Sequence, residues 1–272
     1  MSPHRDFRGR HVVITGAAGG LGSALCLRFG AAGAVIGALD RDIDALERLG
    51  EVLAARGIGH CAAACDVADQ TSVATALALT RQTLGPVDVV INNAGITQRS
   101  LLVRTRPEVI RRVMEVNFLG ALYCTHAALS DLLARRGMVI AVSSVAGFAP
   151  LLARTGYSAS KHALHGFFDS MRSEVEKDGV DVMLVCPSFI DTGIEKAALS
   201  GDGTPVSHGQ AVVGTRATPE DIADRIFRAA ERRRRLLLPG RIPRLAWWVS
   251  RMAPGLYAWL MGRSQRAELE TR

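Results

Sequence analysis

The sequence predicts an α/β protein with a doubly wound parallel sheet, arranged in three α/β/α layers. Short apolar runs without polar alternation recur along the chain, as in strands that helices cover on both faces. The segments between these runs are long enough for helices and carry helical periodicity, which requires parallel crossover connections. We therefore expect a single domain over residues 1–240, followed by an amphipathic C-terminal extension over residues 241–272.

The predicted elements alternate between strand and helix along most of the chain. Apolar runs rich in valine, isoleucine and alanine predict strands at 11–15, 34–39, 60–66, 87–92, 138–143 and 180–186. Apolar residues three and four positions apart predict intervening helices at 21–32, 42–56, 70–84, about 107–135 and 157–178. A further helix at 219–231 starts with the cap residue Thr218 and with Pro219, and the run at 236–239 predicts a last strand.

The net charge of +7 is concentrated at the C-terminal end of the chain. Residues 232–272 contain ten arginines and two glutamates, which is more than the whole net charge. No interleaving of basic and aromatic residues on the predicted strands accompanies this charge, so we expect no nucleic-acid partner. The 272 residues, 48% of them hydrophobic, are enough for a large core.

The cysteines and the N-terminal residues indicate the cellular environment. Five cysteines lie scattered in apolar surroundings, and Cys61 and Cys65 have no second pair that would complete a metal site. We expect reduced thiols and no metal. The N-terminal residues contain no apolar core of a signal peptide, and no apolar run is long enough to span a membrane, so we expect a cytoplasmic location.

The segment TGAAGGLG at 15–22 follows the first predicted strand directly. Glycines at 16, 20 and 22 allow a tight turn and a close approach to a pyrophosphate, and the next helix directs its free N–H groups at the phosphates. The alternative is a tight turn without a ligand. Asp40 ends the second predicted strand. A carboxylate at this position accepts hydrogen bonds from the ribose hydroxyls and repels a 2′-phosphate. NAD is therefore expected rather than NADP, although the adjacent Arg41 could accommodate a 2′-phosphate in part.

The segment YSASK at 157–161 is unusual in this chain, because it places one of only three lysines among thirty arginines. Tyr157 and Lys161 are four residues apart and share one face of the predicted helix. A neighbouring ammonium lowers the pKa of a phenol toward neutral pH, and it can also donate to ribose hydroxyls. By itself, this spacing is usually that of a solvated helix face.

The order of these motifs resembles the short-chain dehydrogenases/reductases, in their smaller single-domain branch. Thr15, Gly16, Gly20 and Gly22 fit the family pattern TGxxxGxG, NNAG stands at 92–95, and YxxxK follows at 157–161. The matching motifs cover residues 11–193. The resemblance implies a Rossmann-type fold and an NAD(P)-dependent oxidoreductase.

The resemblance also implies individual site residues. The catalytic set carried over by position is Asn117, Ser144, Tyr157 and Lys161, with Ser143 as the alternative serine. Asn117 is expected to hold a water that connects the lysine to solvent, and Ser144 to bind the substrate oxygen. Ser188 departs from the family, which usually has glycine there. The residues expected to contact the cofactor are Gly16, Gly20, Leu21, Gly22, Asp40, Arg41, Asp66, Val67, Asn93, Ala94, Gly95, Tyr157, Lys161, Pro187, Ile190 and Thr192.

The C-terminal extension carries an apolar stripe at helical spacing, interrupted by Pro254 and Gly255. The stripe consists of Leu245, Trp248, Val249, Met252, Leu256, Trp259 and Leu260. Arg244, Trp247 and Arg251 share a flank that suits a membrane surface. The alternative is that the stripe packs on the substrate side of the domain or on a second subunit. The extension resembles that of family members acting on lipophilic alcohols and steroids.

The expected reaction is hydride transfer between a nicotinamide and a secondary alcohol or carbonyl compound. The tail and the apolar residues around the glycine-rich lid, which is expected at about 188–217, favour a lipophilic substrate such as a steroid or a long-chain alcohol or ketone. These residues are Phe148, Leu151, Leu152, Phe189 and Ile194. The alternatives are a reductase of acyl-type or small polar carbonyl substrates and a catalytically silent nucleotide sensor. The resemblance to the family also implies a homodimer or homotetramer.

Overall fold

A computed structural model describes residues 4–191, 198–206 and 216–264. Seven parallel strands form one sheet in the order β3-β2-β1-β4-β5-β6-β7. The strands are β1 (His11–Thr15), β2 (Val35–Asp40), β3 (His60–Ala64), β4 (Val89–Asn92), β5 (Met138–Val142), β6 (Asp181–Val185) and β7 (Leu236–Leu237). The helices are α1 (Gly20–Gly30), α2 (Ile43–Ala55), α3 (Gln70–Leu84), α4 (Pro107–Met114), α5 (Gly120–Arg135), α6 (Thr155–Val175), α7 (Pro219–Glu231), α8 (Arg241–Met252) and α9 (Pro254–Ser264).

Helices cover the sheet on both faces, which confirms the predicted doubly wound fold. The alternation of side chains along β1 sends Val12 and Ile14 to one face and Val13 to the other. The first face packs on α1, α2 and α7, where the rings of Phe7, Phe29 and Phe227 lie 5.0–5.4 Å apart. The second face packs on α3, α5 and α6. Strand order reverses between β1 and β4, and ligands of such sheets bind at the carboxyl ends of the strands beside this point.

The prediction of one regular helix at about 107–135 is wrong in one respect. It consists of α4, a wider π-helical turn at Glu115–Leu119, and α5. The side chain of Asn117 in this turn bonds to the backbone of Ile96 and to Ser160, so that tertiary contacts stabilise the turn. Such turns are frequent at functional sites, and apolar periodicity does not distinguish them from regular helix.

The tail forms two helices. The first, α8, ends before Ala253, and α9 begins at Pro254, because proline cannot continue a helix but is tolerated at its first position. Trp247 on α8 packs edge-on against Phe148, with ring centroids 4.8 Å apart. The Tyr257 hydroxyl on α9 donates to the Ala149 carbonyl at 3.2 Å. The tail therefore packs on the loop that follows β5. Within the described ranges, no helix combines the length and the apolar character needed to cross a membrane.

Candidate active site

A cavity of about 810 Å³ lies at the carboxyl edge of the sheet. The turns after β1 to β6 line it, and the helices of the tail contribute a further wall. It contains all but one of the residues predicted to contact the cofactor; the exception, Thr192, lies outside the described residues, as do Ile194 and much of the predicted lid. Three of the four predicted catalytic residues, Ser144, Tyr157 and Lys161, also line this cavity.

The glycine turn after β1 forms a cradle of suitable shape for a pyrophosphate. Gly16 has a φ of +63°, and a Cβ atom there would lie 2.9 Å from the Ala94 Cα. A Cβ atom at Gly22 would collide with the Gly16 carbonyl oxygen. Gly19 caps α1 without a side chain, so the first-turn N–H groups of the helix remain available at the cavity. These features fit a dinucleotide.

Hydrogen bonds hold the cradle against the loop after β4. The Thr15 hydroxyl accepts from the backbone N–H groups of Asn93 and Ala94, both at 3.0 Å. The Asn93 amide donates to the carbonyls of Thr15 and Gly16 at 3.0 and 3.1 Å. Thr15 and Asn93 thus fix the relative position of two loops that the motifs predicted separately.

Two carboxylates line the cavity where β2 and β3 end, and β1 and β4 separate these strands from β5 in the sheet. Asp40 accepts from the Ala18 N–H at 2.9 Å and from the Asp42 N–H at 3.1 Å, which orients its carboxylate beside the cradle. Asp66 accepts from the Ala68 N–H and pairs with Arg112 at 3.3 Å. Burial works against the charge of Asp66, but these hydrogen bonds outweigh it and hold its pKa below the ordinary value.

Ser144 and Tyr157 meet where β5 ends and α6 begins. The Ser144 hydroxyl accepts from the Ala146 N–H at 3.2 Å and hydrogen-bonds to the phenol of Tyr157. Ser143 is buried, and its hydroxyl donates to the Lys161 carbonyl at 3.3 Å. This arrangement favours Ser144 over Ser143 as the serine beside the phenol.

Lys161 lies behind Tyr157 on the same face of α6. Its Nζ donates to the Val142 carbonyl at 2.9 Å and lies 5.7 Å from the centroid of the tyrosine ring. Burial lowers the pKa of Lys161 to about 8. The YxxxK spacing predicts that Lys161 lowers the pKa of Tyr157. In the structure, burial instead raises the pKa of Tyr157, and the influences that oppose burial are the Ser144 hydrogen bond and the charge of Arg154.

Asn117 lies close to Lys161 and is only 2% exposed. Its Oδ1 accepts from the Ile96 N–H at 2.8 Å, and its Nδ2 donates to the Ile96 carbonyl and to the Ser160 hydroxyl, both at 2.9 Å. A Cβ atom at Gly95 would lie 3.3 Å from the Asn117 Oδ1 and 3.6 Å from the Lys161 Nζ. Gly95 therefore allows both polar groups to approach one backbone position. The expected water at Asn117 stays a prediction.

The tail helices present one side to the cavity and another to solvent. The residues of α8 and α9 that line the cavity are Ile242, Leu245, Ala246, Val249, Tyr257, Leu260 and Met261. Trp248, Met252 and Trp259 are 65%, 76% and 57% exposed. Trp247 packs on Phe148 and supports the Arg251 guanidinium 3.4 Å from its centroid, so these two residues share a flank, and its contact with a membrane stays a prediction.

Arg154 is a cavity residue that the motifs missed. It is buried, and it directly precedes α6. Its position three residues before Tyr157 was the available signal, because that spacing often places two side chains on one side of a helix start.

All five cysteines are buried and free. Within the described ranges, no group of three or more His, Cys, Asp or Glu side chains could hold a metal ion.

A family model described as short chain dehydrogenase matches residues 10–202. The chain is 38% identical to "Dehydrogenase/reductase SDR family member 7B" of Bos taurus, over 96% of this chain and 83% of the relative. It is 35% identical to "Dehydrogenase/reductase SDR family protein 7-like" of Anopheles gambiae, over 97% and 85% of the two chains.

Two solved structures share the fold. A short-chain dehydrogenase/reductase from Burkholderia phymatum in complex with NAD superposes with a TM-score of 0.83 at 23% identity, covering 93% of this chain and 96% of that one. An alcohol dehydrogenase from Thermococcus sibiricus complexed with 5-hydroxy-NADP gives a TM-score of 0.69 at 24% identity, covering 80% and 88%.

Proposed function

The chain belongs to the short-chain dehydrogenase family and is an oxidoreductase, and we propose that it interconverts a lipophilic secondary alcohol and its ketone with NAD. One observation carries this proposal. A single cavity joins the glycine cradle, the Ser144 and Tyr157 hydroxyls, and an apolar wall made by α8 and α9. A nicotinamide cofactor held by the cradle and a substrate with an extended apolar body would therefore meet at Tyr157.

The proposed mechanism assigns distinct tasks to the side chains around Tyr157. A bound nicotinamide supplies the hydride acceptor for alcohol oxidation and the hydride donor for ketone reduction. Ser144 donates a hydrogen bond to the substrate oxygen and orients it toward the phenol. Tyr157 accepts the hydroxyl proton of the alcohol, or returns a proton to the ketone oxygen. Lys161 binds the ribose hydroxyls, and Asn117 holds a water that carries the proton onward.

The preference for NAD rests on Asp40. Its carboxylate lies at the cavity with both oxygens held by backbone N–H groups, so a 2′-phosphate would meet a fixed negative charge. The neighbouring Arg41 is exposed and lines the same cavity, so it offers a partial counterweight. NADP is therefore expected to be the poorer cofactor.

Replacing Asp40 with serine is expected to reverse much of this preference. The ratio of kcat/KM with NAD to kcat/KM with NADP should fall by at least about tenfold, because loss of the fixed charge removes repulsion of about 1.4 kcal/mol or more. Initial rates with both cofactors measure it. Asp42→Ser is the matched control, since Asp42 also lines the cavity but caps α2 by accepting from the Ala45 N–H. An unchanged ratio in D40S would rule out Asp40 as the determinant.

The lipophilic substrate is supported by the apolar wall of the tail and by Leu151 and Phe189, which also line the cavity. Initial rates with a panel of small secondary alcohols, long-chain secondary alcohols and hydroxysteroids test it directly. We expect kcat/KM to be at least about tenfold higher for the long-chain or steroid alcohols, because each buried methylene contributes about 0.8 kcal/mol. Equal rates with small polar substrates would favour the alternative reductase, and no turnover with any substrate would favour a silent nucleotide sensor.

A second proposal is that the outer side of the tail contacts anionic membranes peripherally. The exposed Trp248, Met252 and Trp259 form an apolar surface, and Arg241, Arg244 and Arg263 lie on the same two helices, which contain no acidic residue. Apolar side chains together with arginines suit the interface of an anionic bilayer. The alternative partner for this surface is a second subunit, and we retain the proposal of a homodimer or homotetramer.

Co-sedimentation with phosphatidylserine-containing vesicles tests the membrane contact. The protein should bind at low salt and be released as salt rises, because screening weakens the arginine attraction. The double variant Trp248→Ala and Trp259→Ala should reduce the bound fraction by at least about fivefold, since each ring buries apolar area. The matched control replaces Leu102 and Val103 with alanine, which are exposed apolar residues outside the tail. Equal binding by both double variants would contradict the proposal.

A further inference from the structure

Arg154 stands beside the reacting end of the cavity as a buried cation. It is 6% exposed, it precedes α6 by one residue, and it lines the same cavity as Tyr157. Its Nη1 donates to the Gln98 carbonyl at 3.3 Å, and this contact ties the guanidinium to the loop after β4. Arg154 therefore places a guanidinium in the wall of the cavity that also contains Tyr157.

The charge of Arg154 opposes the effect of burial on Tyr157. Burial raises the pKa of the phenol, while the Ser144 hydrogen bond and the Arg154 charge lower it. Lys161 and Arg154 differ in the pH range over which each side chain keeps its positive charge. Burial lowers the pKa of Lys161 to about 8, so its charge is lost as pH rises through that value, whereas a guanidinium stays charged throughout the working range.

Among the residues that the structure describes, the other titratable groups around Tyr157 are neutral or have other partners. Burial lowers the pKa of His165 on α6 to about 4, and it raises the pKa of Cys186 after β6 and of Tyr257 on α9 to about 12 each. The surrounding elements also carry charged groups. Arg112 of α4 pairs with Asp66, and Arg251 of α8 stacks on Trp247. Arg99 and Arg104 of the loop after β4 lie outside the cavity lining.

We propose that Arg154 is a positioning residue that supplies the permanent positive charge stabilising the phenolate of Tyr157 during proton transfer. This inference rests on the proposed function and adds a second cation to the pair that the YxxxK motif describes. When an alcohol is oxidised, Tyr157 must be deprotonated to accept the hydroxyl proton. The charge of Arg154 increases the deprotonated fraction at neutral pH.

The test compares Arg154→Gln with wild type in both reaction directions across pH 6 to about 10.5. In the oxidation direction, kcat/KM of R154Q should be about tenfold lower at pH 7, because loss of the cation raises the pKa of Tyr157. The two profiles should converge to within about twofold at the alkaline end, where both phenols are deprotonated. Ketone reduction at pH 7 should fall by a similar factor, because a phenol of raised pKa is a weaker proton donor and the reaction equilibrium links the two directions at a fixed pH.

Three further variants separate charge from structure. Arg154→Lys keeps a positive charge and should restore the oxidation rate at pH 7 to within about threefold of wild type. Arg99→Gln removes a buried arginine outside the cavity lining and should leave the shape of the profile unchanged. If R154Q does not fold, Arg154→Met fills the same space with an uncharged chain and replaces it in the comparison.

The outcomes distinguish the inference from the function on which it rests. A displaced oxidation profile that converges at high pH, with rescue by R154K, supports the role of Arg154. An equal loss at every pH, or a profile that does not move, overturns it while leaving the oxidoreductase assignment intact. Absence of turnover by wild type with every alcohol and ketone would instead contradict the proposed substrate class.

Discussion

Replacing Tyr157 with phenylalanine is expected to lower kcat by about a thousandfold with any accepted alcohol. The substitution removes the hydroxyl that we propose to exchange the substrate proton and that hydrogen-bonds to Ser144, while the ring keeps its place on α6. The Kd for NAD should stay within about twofold of wild type, because the cradle around Gly16 and the carboxylate of Asp40 are untouched. Steady-state rates and fluorescence titration with the cofactor measure the two quantities.

The matched control for this prediction is Tyr123→Phe. Tyr123 is a partly buried tyrosine of α5 that lies outside the cavity lining, so its hydroxyl has no expected part in proton transfer. The control should turn over at close to the wild-type rate. Turnover by Y157F comparable to that of Y123F would remove Tyr157 from the chemistry, and a large rise in the Kd for NAD would show that the phenol mainly shapes the cofactor site.

Replacing Gly22 with alanine is expected to weaken both the fold and NAD binding. The added Cβ would collide with the Gly16 carbonyl oxygen and approach the Ala17 Cα to 2.8 Å, and both are backbone atoms that cannot rotate away. Relieving the overlap must displace α1 from the turn that we propose to hold the phosphates. We expect the free energy of unfolding to fall by about 1–3 kcal/mol, as for other overpacked sites, and the Kd for NAD to rise at least about tenfold.

Gly166→Ala is the matched control, because Gly166 also lies within a helix but an added Cβ there would meet nothing within 4 Å. Alanine has the higher helix propensity, so this variant should be more stable by up to about 1 kcal/mol and bind NAD normally. Denaturant unfolding and cofactor titration measure both variants. Wild-type binding by G22A would mean that the turn can relax without loss of the phosphate site.

Much of the site could be predicted because its residues lie in short, continuous segments. The turn at 15–22 contains its own glycines, and α1, which begins within this segment at Gly20, directs its free N–H groups toward the same proposed ligand. Tyr157 and Lys161 share a face because of the helical repeat alone. Asp40 ends a strand whose apolar run is evident in the sequence. In each case the chemistry depends on neighbours within a few residues.

The π-helical turn around Asn117 and the burial of Arg154 were harder to predict. Asn117 bonds to Ile96 and Ser160, which are distant in sequence, and the wide turn follows from those contacts rather than from local propensity. Arg154 is one of thirty arginines, and its burial beside Tyr157 depends on the loop that carries Gln98. A charge has a different effect on a phenol in solvent and in a buried cavity, and composition does not specify which environment applies.

The sequence by itself determined that this protein has a parallel α/β sheet, a dinucleotide cradle and a Tyr-Lys pair, because periodicity and motif spacing are local properties of the chain. It also determined that the tail is amphipathic. Only the tertiary structure decided that Val249 and Leu260 line the cavity, that Trp247 packs on Phe148, and that Trp248 and Trp259 lie outside. The physical reason is that an apolar stripe requires burial without naming its partner, and the partner is determined by which distant surfaces the folded sheet brings together.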